Sequence, residues 1–163
     1  RKSHGYSGQP ICQGRNIQRR IRRTKTNVEL KKQKKMNYYF NKTVNGTFEE
    51  VIEKVTKELK EEGFGILTEI DVTATLKKKL DVDFKKYRIL GACNPPYAHK
   101  ALLAEDKIGT MLPCNVIVQE IEAGVIEVAA VNPMALMQAV ENEKLNVIAS
   151  EITAMLENVI EKL

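Results

Sequence analysis

Two short blocks carry the residue types that could do chemistry: Gly91-Ala92-Cys93-Asn94-Pro95-Pro96-Tyr97-Ala98-His99, and Leu112-Pro113-Cys114-Asn115. Asn is a favoured N-cap and Pro is favoured in the first helical turn, so a helix is expected to begin just after Cys93. Unpaired backbone N–H groups and the helix dipole at such a start favour an anion and lower a thiol pKa, which makes Cys93 the expected nucleophile. Cys114 follows a proline at the opening of a strand, again at an element boundary. Two such thiols facing across a cleft could attack and resolve, hold sulfane sulfur, or bind a soft metal. Asn94, Pro95 and His99 would border the ligand, with Asn94 and the first free N–H groups steadying a thiolate or bound anion.

The competing reading makes both cysteines small hydrophobes, because reduced cysteine is among the most buried residue types. A zinc site from Cys93, His99 and Cys114 lacks a fourth ligand, so no metal is assigned, and the cofactor is left open. His99 alone reads as a helix-surface residue, and Asn94-Pro95 and Asn132-Pro133 read as helix caps. No Gly-rich phosphate loop, His pair at ligand spacing or Gly-x-Ser-x-Gly elbow occurs, which disfavours the common hydrolases, kinases and dehydrogenases.

The elements that must position these blocks follow from periodicity. Tyr38 to Val44 reads as a first strand. Thr47 with Glu50 forms a capping box for a helix that places Phe48, Val51, Ile52, Val55 and Leu59 on one face until Gly63. Its carboxylates, Glu49 to Glu62, read as a solvated face. Phe64 to Val72 reads as a second strand, and Thr73 to Leu80 as a short helix with Leu76 and Leu80 inward. Phe84 to Ala92 reads as a third strand, followed by a helix with Ala98, Ala101 and Leu102 inward. Asn115 to Ile121 and Val125 to Val131 form an apolar hairpin around Ala123-Gly124. Met134 to Val140 and Leu145 to Leu163 close the chain as helices, the last burying Leu145, Ile148, Ile152, Met155, Leu156 and Val159.

The expected fold is α+β, with a mixed, largely antiparallel sheet of about five strands and helices packed on one face. The hairpin strands are hard to leave wet, so a homodimer through the sheet is expected. The 163 residues suit one such domain, and three cysteines, an odd number, suit a reduced chain rather than a disulfide scaffold. No stretch reaches the roughly 18 apolar residues of a membrane span. A cytoplasmic protein is expected.

The net charge of +5 divides sharply. Residues 1–35 hold twelve Lys and Arg against the single acid Glu29, a net of +11, whereas residues 36–163 hold fourteen basic and twenty acidic residues, a net of −6. The segment 1–35, with Cys12, is expected to be a disordered basic leader, read either as sequence upstream of the true start or as a nucleic-acid arm. The domain proper is 36–163, and nucleic acid is not expected as its partner.

Tyr87-Arg88-Ile89-Leu90-Gly91-Ala92-Cys93-Asn94-Pro95, then Ala98 with Ala101-Leu102, Ile108-Gly109 and Leu112-Pro113-Cys114-Asn115-Val116, resembles the signature of the domain of unknown function 302 family. The resemblance runs from about Met36, where such members usually begin, to Leu163. It implies a small bacterial or archaeal α+β domain that assembles as a homodimer, without an established activity. Other branches similar to it carry Gly-Asn-Pro where this chain has Cys93-Asn94-Pro95, and lack the second thiol, which implies a role for the cysteines in this branch. The expected function is therefore thiol redox or sulfur handling by Cys93 and Cys114, with a thiol or sulfur-carrier partner. The alternative is a non-catalytic module that binds a small ligand and packs its cysteines.

Overall fold

A computed structural model of the chain describes residues 37–163; the basic leader expected over 1–35, with Cys12, lies outside the described residues. Alternating side chains make β1 (Tyr39–Asn45). Helix α1 (Phe48–Glu61) then starts on the Thr47 capping box: the Glu50 N–H donates to the Thr47 hydroxyl at 3.3 Å, and the Thr47 N–H donates to the Glu50 carboxylate at 3.1 Å. Strand β2 (Gly65–Asp71) runs directly into α2 (Val72–Leu80), and β3 (Tyr87–Cys93) into α3 (Pro95–Ala104). A 3₁₀ turn (Asp106–Met111) and a cis Leu112–Pro113 bond lead into the hairpin β4 (Cys114–Glu122) and β5 (Val125–Val131). Helices α4 (Pro133–Met137) and α5 (Glu143–Lys162) follow.

The five strands form one antiparallel sheet in the order β1-β5-β4-β3-β2. Period-two alternation sends Leu90, Ala92, Val116, Val118, Ile126, Val128 and Ala130 to one face. There they meet Val55 and Leu59 of α1 and Leu156 and Val159 of α5, all fully buried. Each buried Val, Leu or Ile among them contributes about 1.5–3 kcal/mol by leaving water. The α+β architecture with helices on one face is thus present. The opposite face carries Ile89, Ile117, Ala129 and Val131 with Tyr39 and Tyr87, and no helix among the described residues covers its centre.

Three expectations change. Helix α2 buries none of its residues: Leu76 is half-buried and Leu80 is 66% exposed, because the helix lies beside β3 instead of over the core. The third strand begins at Tyr87, and Phe84 packs its ring against Tyr87 from the preceding loop, 6.1 Å between centroids. On α3, Leu102 faces outward and only Ala101 is buried.

The two Asn-Pro pairs divide as well. Asn132, 4% exposed, caps α4 by accepting from the Met134 N–H at 3.1 Å and donates to the Asn37 carbonyl at 2.9 Å. Asn94 precedes α3 without making a side-chain cap bond.

Candidate functional site

Strand β3 ends at Cys93 and β4 begins at Cys114. The register pairs Ala92 with Cys114, so the two cysteines stand on adjacent strands one position out of step. Neighbours within a strand point to opposite sides, but Cys93 closes its strand, and both residues reach the wall of the same cavity. That cavity, about 60 Å³, lies between this end of the sheet and α3, α4, α5 and the 3₁₀ turn. It is several times the roughly 10–15 Å³ that one water requires, enough for an ion or a few heavy atoms.

No lining side chain is charged. Asn94 and Tyr97 are the lining residues with polar side chains other than the thiols, and Met111 and Met137 add two thioethers. The Tyr97 phenol is hydrogen-bonded to the Glu151 carboxylate, which raises its pKa.

Burial pushes the Cys93 thiol up and not down. Burial likewise drives Cys114 up to about 11, with the neighbouring Cys93 charge adding to the effect. This overturns the activated thiolate expected at the helix start. The cause is burial, and the helix start does little to offset it: Pro95 and Pro96 take its first two positions, and proline has no N–H to face an anion. The Ala98 N–H is already used, donating to the Asn94 carbonyl at 2.9 Å.

Asn94 is buried at 8% exposure, but its amide donates to the Glu62 carbonyl at 3.4 Å and approaches the Met155 sulfur at 3.9 Å. It ties the start of α3 to the end of α1 and does not hold a thiolate. The chain there turns at Gly63, whose φ of +84° suits glycine, and an added Cβ would stand 3.2 Å from the Asn94 amide nitrogen. Pro95 and His99 are exposed and do not line this cavity. Among the described residues no group of three or more His, Cys, Asp or Glu could hold a metal, so Cys93, His99 and Cys114 form no zinc triad.

Among the lining residues that carry a polar or sulfur atom, Tyr97, Met111 and Met137 are the ones to which sequence reasoning assigns no role. Tyr97 lay inside the cysteine block, whereas the methionines gave no signal, since methionine is a common core filler.

Two wider grooves lie elsewhere. One, about 440 Å³, runs over the open sheet face past Tyr38, Tyr39 and Tyr87, where Glu127 accepts from Asn41 at 3.0 Å and Gln119 at 2.6 Å. The other, about 370 Å³, borders Arg88, whose guanidinium is engaged by Glu69 at 2.9 Å and Asp71 at 3.2 Å. Neither contains a thiol. No helix among the described residues is long and apolar enough to cross a membrane.

A family model described as "Domain of unknown function DUF302" matches residues 40–163. A crystal structure of an uncharacterized conserved DUF302 protein from Bacillus stearothermophilus superposes with a TM-score of 0.72 at 30% identity, covering 78% of this chain and 98% of that one. No curated protein matches.

Proposed function

The chain belongs to the DUF302 family, and from that premise we propose that Cys93 and Cys114 act together in thiol redox or sulfur handling within their shared cavity. The observation that carries this reading is the opening of two thiols from adjacent strands into one small, uncharged space. A partner disulfide would be reduced to two thiols as Cys93 and Cys114 lose two electrons and two protons and join. Alternatively, a persulfide donor would pass one neutral sulfur atom to a cysteine and leave as a thiol. The disulfide end state places no charge in the apolar wall. The raised thiol pKa values favour a second reading, a non-catalytic module that binds a small ligand beside packed cysteines.

Intact mass spectrometry of Cys12→Ser protein purified without reductant, with and without alkylation, separates the two. The thiol reading expects a species lighter by two hydrogens or heavier by one sulfur, lost on reduction and absent from the Cys93→Ser, Cys114→Ser variant. Fully reduced, unmodified thiols even after exposure to a small disulfide and to a persulfide donor would sink it. We place the protein in the cytoplasm, where thiols stay reduced.

The homodimer is proposed through the open sheet face. Ile117 lies at its middle, paired with Ile89 on β3 and Ala129 on β5, and Glu127 is satisfied by neighbouring amides and leaves no bare carboxylate to desolvate. Light scattering at micromolar concentration should give twice the 18.4 kDa chain mass, falling to the single mass for Ile117→Lys. A wild-type monomer removes the proposal.

A further inference from the structure

Resting on that thiol-pair reading, we propose that the cavity binds a soft monovalent cation, copper(I) by preference, held by the sulfurs of Cys93 and Cys114 with the thioethers of Met111 and Met137 as auxiliary donors. The donor set is the first argument. Four sulfur-bearing side chains line one cavity, and no carboxylate or imidazole does. Thiolate and thioether ligands select copper(I), whereas calcium and magnesium require oxygen donors and zinc requires about four N, S or O ligands. Those harder ions lack a ligand shell here, since no cluster of three His, Cys, Asp or Glu exists among the described residues. Copper(I) and silver(I) are satisfied by two thiolates in a linear arrangement, which two cysteines alone can supply.

Charge is the second argument. No Lys, Arg or His reaches the lining, so the wall offers no cation to balance ionised thiols. Two bare thiolates in such a wall would carry −2 and a bound monovalent ion leaves −1, so the ion is what makes ionised thiols tolerable there; relative to the neutral thiols the complex still adds one negative charge, which the sulfur–copper bonds offset. In the step, two S–H bonds break, two sulfur–copper bonds form and two protons leave to solvent. The metal stays at +1, so no oxidant or reductant is required. Size is the third argument: about 60 Å³ admits a bare ion with its sulfur ligands closing around it. Met111 ends the 3₁₀ turn and Met137 ends α4, so the two thioether side chains reach the cavity wall from separate segments of its helical side.

The test uses the full chain with Cys12→Ser, reduced and without oxygen, titrated with copper(I) in competition with bicinchoninate. The expected result is one copper(I) per chain and release of two protons, reproduced with silver(I) by native mass spectrometry and not with zinc(II). Cys93→Ser and Cys114→Ser, each repeated as Ala to guard against misfolding, should weaken binding by at least roughly 100-fold, and Met111→Leu with Met137→Leu by about 10-fold. Wild-type affinity in the methionine double variant overturns their role as donors. No copper(I) retained by wild type, while the same thiols still alkylate and join, overturns the inference and leaves the thiol reading standing. Copper(I) bound equally by the cysteine variants overturns the site itself.

Discussion

Gly91→Ala is expected to destabilise the domain by about 1–3 kcal/mol, a large share of the stability of a small domain. Gly91 sits in mid-sheet, paired with Thr68 on β2 and Asn115 on β4. An added Cβ would stand 2.2 Å from the Thr68 hydroxyl oxygen and 2.9 Å from Cγ of Pro113. Thr68 can rotate its hydroxyl away, but the Pro113 ring is rigid and fixes the entry of β4, so the strands themselves must part. Gly65→Ala is the control: no atom lies within 4 Å of its added Cβ, and the change should stay within about 0.5 kcal/mol. Urea unfolding would show the Gly91→Ala midpoint falling with an unchanged slope, and Thr68→Ala in that background recovering the part due to the hydroxyl. Equal midpoints for Gly91→Ala and wild type would refute the close approach.

Stability should also fall steeply in alkaline solution because of Cys114. Its thiol is pushed from an ordinary 9.0 up to about 11, chiefly by burial. Below about 9 the thiol is protonated in both folded and unfolded chains and the advantage of the protonating fold is intact. As pH rises through 9 toward 11 the unfolded chain gains thiolate that the folded chain resists, and roughly 2–3 kcal/mol is lost. Tyrosines and lysines titrate in the same window, so the quantity to measure is the difference between metal-free wild type and Cys114→Ala. Urea midpoints on both sides of the window should converge as pH rises, because the variant lacks this one titration. Parallel pH profiles would show that the thiol is not held neutral by the fold.

Much of the fold is legible because its signals are local. Thr47 with Glu50 and five apolar positions at helical spacing define α1, and Ala123-Gly124 between two apolar runs defines the hairpin. Helix α2 misleads because the spacing of Leu76 and Leu80 is the same whether a helix lies on a core or beside a strand. Tertiary placement alone decides which. The cysteines are visible as boundary residues, but their pKa values depend on burial by segments distant in sequence. Pro95-Pro96 held part of that answer: the same prolines that announce a helix also strip its start of donors. Met111 and Met137 share a cavity wall with Cys93 and Cys114 only once the helical layer has packed, so no local pattern marks them.

The edge strand β2 has its own consequence. Between Ile66 and Thr68 its register with β3 slips, leaving Leu67 bulged and 66% exposed. A bulge twists the strand and interrupts its row of outward amides, so another sheet cannot add a strand along that border. The proposed pairing through the flat of the sheet therefore does not have to compete with strand addition at this border. A face that mates with its own copy is used up on pairing, whereas a free border would go on recruiting chains into a filament.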